Sequence, residues 1–180
     1  MNRKDLIVTV EMACSVDGKI ADEKGEEGFL LERGWEIMLE LLQEQDVLIW
    51  GRKTFESVCT WGEEYVQDLK KIPIILLSRS KEKPVDWDNV FVCSSIDECL
   101  VQCQEKNWTK LFVSGGAQTN NQFLQAGVVD KVILNYNPVI FNQGIGVFEG
   151  DFIEQKLTLE QVKQEQQGIV QIHYQVEKEK

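Results

Sequence analysis

The chain is poor in the residues that build several common kinds of site. It has one histidine and five cysteines with no C-x-x-C pair, which fits neither a zinc site nor a disulfide framework. No metal is expected, and the compartment reads as reducing and cytoplasmic. His173 sits in an alternating C-terminal segment, far along the chain from every other candidate, a poor placement for a catalytic base. Three prolines and no Pro/Ser-rich stretch leave no linker, so residues 1–180 are expected to form one domain. No apolar run is long enough for a membrane span, and the first, LIVTVEM, lacks the cleavage region of a signal peptide. Positive charge is scarce too. Nineteen basic residues against 30 acidic ones, a net charge of −11, argue against nucleic acid or an anionic membrane as a partner, since both demand a basic face.

What is present is an ordinary globular balance, 43% apolar and 27% charged, arranged as strands alternating with helices. Apolar runs at Leu6–Met12, Val47–Trp50, Pro73–Leu77, Val90–Cys93, Leu111–Val113 and Lys131–Asn137 read as strands, the first buried on both faces. Leu31–Gln45 has a helical stripe of Leu31, Trp35, Met38 and Leu42. Shorter helices are expected over Lys53–Cys59, from Ser95 to Glu105 with acids in the first turn, and over Gln118–Ala126. Cys14–Glu27 reads as a loop and Pro138–Phe148 as an irregular stretch. Leu157–Gln166 and Ile169–Val176 alternate around Gly168 like an antiparallel hairpin. The fold class is therefore α/β, with a mostly parallel central sheet, helices on both faces and an antiparallel C-terminal hairpin at one edge.

In such sheets ligands bind at the carboxyl ends of the strands. Three loops fall there: Gly51-Arg52-Lys53-Thr54, Ser78-Arg79-Ser80 and Gly115-Gly116. Each offers anion-binding groups, either basic side chains or backbone N–H groups at a helix start that glycines leave open to approach. Arg52, Lys53, Lys70, Lys71, Arg79, Lys81 and Lys83 gather in the same third of the chain, so an anionic ligand could be held locally despite the acidic whole.

These segments, in this order, resemble the dihydrofolate reductase superfamily. GRKTFES (Gly51–Ser57) and LSRS (Leu77–Ser80) are similar to its NADPH-binding segments, and FVSGGAQT (Phe112–Thr119) to its Gly-Gly turn. MACSVDGKIA (Met12–Ala21) and NPVIFNQGIGVF (Asn137–Phe148) resemble the branch that includes the riboflavin-biosynthesis reductase domain. The resemblance covers about residues 6 to 150 and implies a three-layer αβα dihydrofolate-reductase-like fold with NADPH as cofactor. It further implies that Gly51, Arg52, Lys53 and Thr54 hold cofactor phosphates. Leu77, Ser78 and Arg79 would meet the ribose 2′-phosphate, with Ser94 grouped beside them. Gly115, Gly116, Ala117, Gln118 and Thr119 would lie along the pyrophosphate and nicotinamide ribose, with a cis Gly-Gly bond, and Ala13 and Ile20 would flank the nicotinamide.

For catalysis the resemblance leaves Asp17 and Lys19 as polar candidates near the nicotinamide, and Glu32 and Glu36 near the place of the acid that binds a pterin. The sequence also departs from both branches. There is no Pro-Trp after the first strand, and SVCTWGEEYVQDL after Gly51 has no arginine, so a substrate phosphate would depend on Lys19 or Arg33. The expected activity is hydride transfer from NADPH to a C=N or C=O group of a small heterocycle, pterin/dihydrofolate-like or ribosylaminopyrimidine-like. The alternative is a catalytically silent NADPH-binding sensor or assembly module. Related single-domain reductases are often homodimers, and the C-terminal hairpin is the contact this implies.

Overall fold

The computed structural model describes residues 5–151 and 154–178. Eight strands form one sheet in the order β5-β4-β3-β6-β1-β7-β10-β9. Six strands are parallel: β1 (Ile7–Ser15), β3 (Val47–Gly51), β4 (Ile74–Leu77), β5 (Val90–Cys93) at one edge, β6 (Lys110–Val113) and β7 (Lys131–Asn137). Strands β9 (Leu157–Gln164) and β10 (Val170–Val176) close one edge as the expected hairpin, β10 antiparallel to β7.

Alternation along β3 shows why both faces are covered. Val47 and Ile49 join Val8, Val10 and Val113 against Cys99 and Cys103 of α4 (Ile96–Glu105) and Phe123 and Leu124 of α5 (Ala117–Gln125). Leu48 and Trp50 join Ile74, Leu76 and Phe112 on the other face. There they meet Met38 and Leu42 of α1 (Glu32–Leu42), Phe55 and Val58 of α2 (Arg52–Val58), and Leu69 of α3 (Glu63–Leu69). Each large apolar side chain buried in this way contributes about 1.5–3 kcal/mol. The result is a three-layer αβα arrangement. No helix among the described residues is long and apolar enough to cross a membrane.

Three stretches differ from the sequence reading. The segment expected as a loop over Cys14–Glu27 begins inside β1 and contains β2 (Lys19–Ala21). The stretch expected to be irregular over Pro138–Phe148 contains β8 (Ile145–Gly146), the antiparallel partner of β2. Strands this short carry no periodicity of their own and form only as a pair of remote segments. The helix α3 was not expected at all, because Gly62 and two turns of mixed polarity give little helical stripe. By contrast α4 starts where its cap predicts: Ser95 Oγ accepts from the Glu98 N–H at 3.1 Å, with Asp97 and Glu98 in the first turn.

Candidate active site

A cleft of about 1320 Å³ opens at the carboxyl ends of the central strands, above the roughly 300–1,000 Å³ usual for one small ligand. Its lining residues fall into two groups according to the elements that supply them.

One end is built from the turns after β3, β4, β5 and β6. It is lined by Gly51–Thr54, Leu77–Ser80, Ser94 and Gly116–Thr119. Two glycines pack these turns together: the Gly51 N–H donates to the Gly115 carbonyl at 2.9 Å, and a Cβ on Gly51 would lie 2.7 Å from Thr119 Oγ1. The Gly115–Gly116 peptide bond is cis. The N-cap of α5 is Gly116, which offers no side-chain cap. First-turn N–H groups there are left for an anion. Arg52 is engaged within the protein: its Nε donates to Ser78 Oγ at 2.8 Å, and its guanidinium also reaches the Ser80 and Glu82 carbonyls. It therefore braces the loop that presents Arg79, which is exposed.

The other end comes from β1, β3, the loop before α1, α1 itself and the α2–α3 region. Trp35, Trp61 and Tyr65 line it and meet one another edge to face, at centroid distances of 4.9 to 6.0 Å. Glu11 is buried in its wall, 2% exposed. Its carboxylate accepts from Ser114 Oγ at 2.9 Å and Asn135 Nδ2 at 2.6 Å. Asn135 in turn accepts from Gln171, which bonds His173, so the sole histidine ends a polar chain running across the sheet. Burial pushes the Glu11 carboxyl up to about 7, the two hydrogen bonds opposing the shift. Burial likewise pushes Glu27, also in the lining, up to about 7. Trp50 is buried in the same wall, and its indole N–H has no partner.

Of the residues singled out in the sequence, Ala13 and Ile20 also line the cleft. Gly115 takes part through its carbonyl. Asp17, Lys19, Glu32 and Glu36 lie outside the lining. Asp17 accepts from Ser15 Oγ and from the Phe141 and Asn142 N–H groups, which hold its carboxyl below the ordinary range. Lys19 lies in β2 and donates its backbone N–H to Ser15 Oγ. Glu32 sits in the first turn of α1, and Glu36 pairs with Arg33 at 3.2 Å. Arg33 also meets Glu40 at 2.5 Å and Glu165 at 2.7 Å through its two terminal nitrogens, while its buried Nε has no partner. Glu11, Glu27 and the Trp50 indole were missed. The one signal for Glu11 was a lone acid inside an apolar strand, LIVTVEMA, where a buried polar residue is the informative exception. Among the described residues no cluster of His, Cys, Asp and Glu could hold a metal ion.

Known proteins agree with this architecture. The chain is 28% identical over 177 residues to the uncharacterised Bacillus subtilis protein YwjB, covering 97% of this chain and 98% of that one. It is 24% identical over 186 residues to YyaP of the same organism, covering 96% of each. A putative riboflavin biosynthesis protein from Shewanella sp. PV-4 superimposes with a TM-score of 0.78 at 21% identity, over 96% of this chain and all of that one. A diaminohydroxyphosphoribosylaminopyrimidine deaminase/5-amino-6-(5-phosphoribosylamino)uracil reductase from Thermotoga maritima does so at 0.73 and 19%, over 97% of this chain and 57% of that one. The RibD C-terminal domain model matches residues 7–171, and the chain therefore belongs to the RibD C-terminal domain family.

Proposed function

We propose that the protein is an NADPH-dependent reductase, passing hydride to a C=N or C=O group of a small heterocycle of the pterin or ribosylaminopyrimidine kind. One observation carries this reading. Three turns rich in glycine and basic residues, on neighbouring parallel strands, share a single cleft with an acidic, aromatic pocket. Membership of the RibD C-terminal domain family supports it.

The residues fit the cofactor. Gly116 and the first turn of α5, with Lys53 and Thr54, would hold the pyrophosphate, favoured by the helix end and by charge. Ser78 and Arg79 would take the ribose 2′-phosphate, with Arg52 bracing their loop and Ser94 beside it. Ala13 and Ile20 would flank the nicotinamide, and Asp17 would position them by tying the turn after β1 to residues 141 and 142. The bound cofactor supplies the hydride, while the chain orients both partners and excludes water. The same reading places the protein in the cytoplasm, as one domain and as a homodimer joined through the C-terminal hairpin. The edge strand β9 of that hairpin exposes Leu157, Leu159 and Val162.

The test is NADPH consumption with a dihydropterin and with a phosphoribosylaminopyrimidine. Oxidation that depends on either substrate supports the proposal. Tight cofactor binding with no turnover of any heterocycle would overturn it, leaving a sensor or assembly module.

A further inference from the structure

A small polar cluster in the cleft wall has no task in holding the cofactor. Val10 pairs with Val113 in register, so the residues that follow, Glu11 on β1 and Ser114 just past the end of β6, stand side by side. Both line the cleft. Side chains two apart share one face of a strand, so Glu11 points to the same side of the sheet as Ala13, about 6.6 Å along β1. Ala13 lines the cleft as well, and it is the residue placed above against the nicotinamide. The Glu11–Ser114 pair therefore belongs to the acceptor end, where the heterocycle would lie.

Hydrogen bonds decide which oxygen of Glu11 carries a proton. Asn135 Nδ2, which can only donate, gives a hydrogen bond to Glu11 Oε1 at 2.6 Å. That amide is itself oriented, because its Oδ1 accepts from Gln171 Nε2 at 2.9 Å, and Gln171 Oε1 meets His173 Nε2 at 2.6 Å. Oε1 is thus kept as an acceptor, and an acidic proton belongs on Oε2, 2.9 Å from Ser114 Oγ. A hydroxyl both donates and accepts. Ser114 can donate to the ionised carboxylate, or accept from the neutral acid and turn its own proton away, toward Met38 Sδ at 3.9 Å or into the cleft. Either protonation state of Glu11 finds its partners.

Charged groups on the surrounding elements are engaged elsewhere. Arg33 of α1 pairs with Glu36, Glu40 and Glu165, and Lys131 of β7 with Glu160 at 3.7 Å. Burial, with Glu11 nearby, pushes the Cys14 thiol up to about 12, and burial lowers His173. Glu27, on the loop before α1, is the other raised acid of the lining. At Glu11 burial raises the carboxyl to about 7 against its two hydrogen bonds, so near neutral pH it exchanges a proton readily, as a general acid must.

We propose that Glu11 is the proton source of the reduction, passing its proton through the Ser114 hydroxyl to the nitrogen or oxygen of the acceptor as hydride reaches the adjoining carbon. This rests on the reductase reading. The π pair of the C=N or C=O bond goes to the heteroatom, which takes the Ser114 proton. Ser114 Oγ takes the proton of Glu11 Oε2, and the carboxylate left behind is reprotonated from water. The hydride comes from NADPH, which is oxidised to NADP⁺.

The first test is calorimetric and needs no turnover. Protons released on binding, read from the heat in buffers of different ionisation enthalpy, are compared for NADP⁺ and for adenosine 2′,5′-bisphosphate, which lacks the nicotinamide. A cation brought near a carboxyl favours its charged form, so at pH 6.5 NADP⁺ should release more, by about 0.3 proton or above. The excess should vanish in Glu11→Gln and persist in Glu27→Gln. With 7,8-dihydropterin or the phosphoribosylaminopyrimidine as acceptor, wild-type kcat/KM should fall above about pH 7. Glu11→Gln should lose about 100-fold or more in kcat, keep KM within a few-fold, and no longer show that fall. No excess release in wild type, an excess that survives in folded Glu11→Gln, or the same pH profile in that variant would overturn the proposal. If NADP⁺ does not bind, or neither heterocycle is turned over, the reductase reading falls and this inference with it.

Discussion

Replacing Glu11 with glutamine should change how folding stability depends on pH more than it changes stability itself. In the folded chain the carboxyl is pushed from its ordinary 4.5 up to about 7 by burial. Between those values the native state holds a proton that the unfolded chain has lost, so stability contributed by the neutral form is complete below about pH 4.5 and is lost as pH rises toward 7. A shift of one unit is about 1.36 kcal/mol, so the full loss is roughly 3.4 kcal/mol, with about 2.5 kcal/mol of it between pH 5 and pH 8. Glutamine keeps the shape and a hydrogen-bonding head but cannot ionise. Urea unfolding at pH 5, 6, 7 and 8, followed by tryptophan fluorescence, should show wild type losing about 2.5 kcal/mol more than Glu11→Gln across the range. Glu27 is also raised to about 7, but it contributes equally to both proteins and cancels in the difference. Parallel pH profiles would refute the assignment of a buried, uncompensated acid at this position.

Other expectations follow from single contacts. Arg79→Ala should weaken NADPH by about 10- to 100-fold, because hydrogen bonds to a charged group are worth about 1.5–3 kcal/mol, and should leave NADH unchanged; paired fluorescence titrations check this. Gly144 has φ +139°, and a Cβ there would lie 2.3 Å from the Ala21 carbonyl oxygen. Gly144→Ala should therefore lose about 1–3 kcal/mol, read as a lower Tm, with its disturbance centred on the β2–β8 pair. Ser95→Ala removes the cap of α4 and should cost about 1 kcal/mol, a fall of about 2–4 °C in Tm for a chain of this size.

The strands were legible because parallel strands covered on both faces must be apolar nearly throughout, as Val47–Gly51 is. The three turns at the carboxyl edge were legible because glycine and arginine after an apolar run mark a place where backbone or charge must be free. The acceptor end was not. Glu11 owes its burial to Ser114 and Asn135, which are 103 and 124 residues away, and no local pattern reports such a pairing. Arg33 looked available until Glu165, 132 residues on, was brought against it. β2 and β8 likewise exist only because the chain returns to its own beginning.

Reductase activity depends on what the carboxyl-edge turns hold. Side-by-side titration of the protein with NADPH and NADH, read by tryptophan fluorescence, tests this most directly. NADPH should bind at micromolar concentration or tighter and NADH at least tenfold more weakly, a difference of about 1.4 kcal/mol. Equal affinity for the two would contradict the role of Ser78 and Arg79, and binding of neither would contradict the cofactor cleft itself.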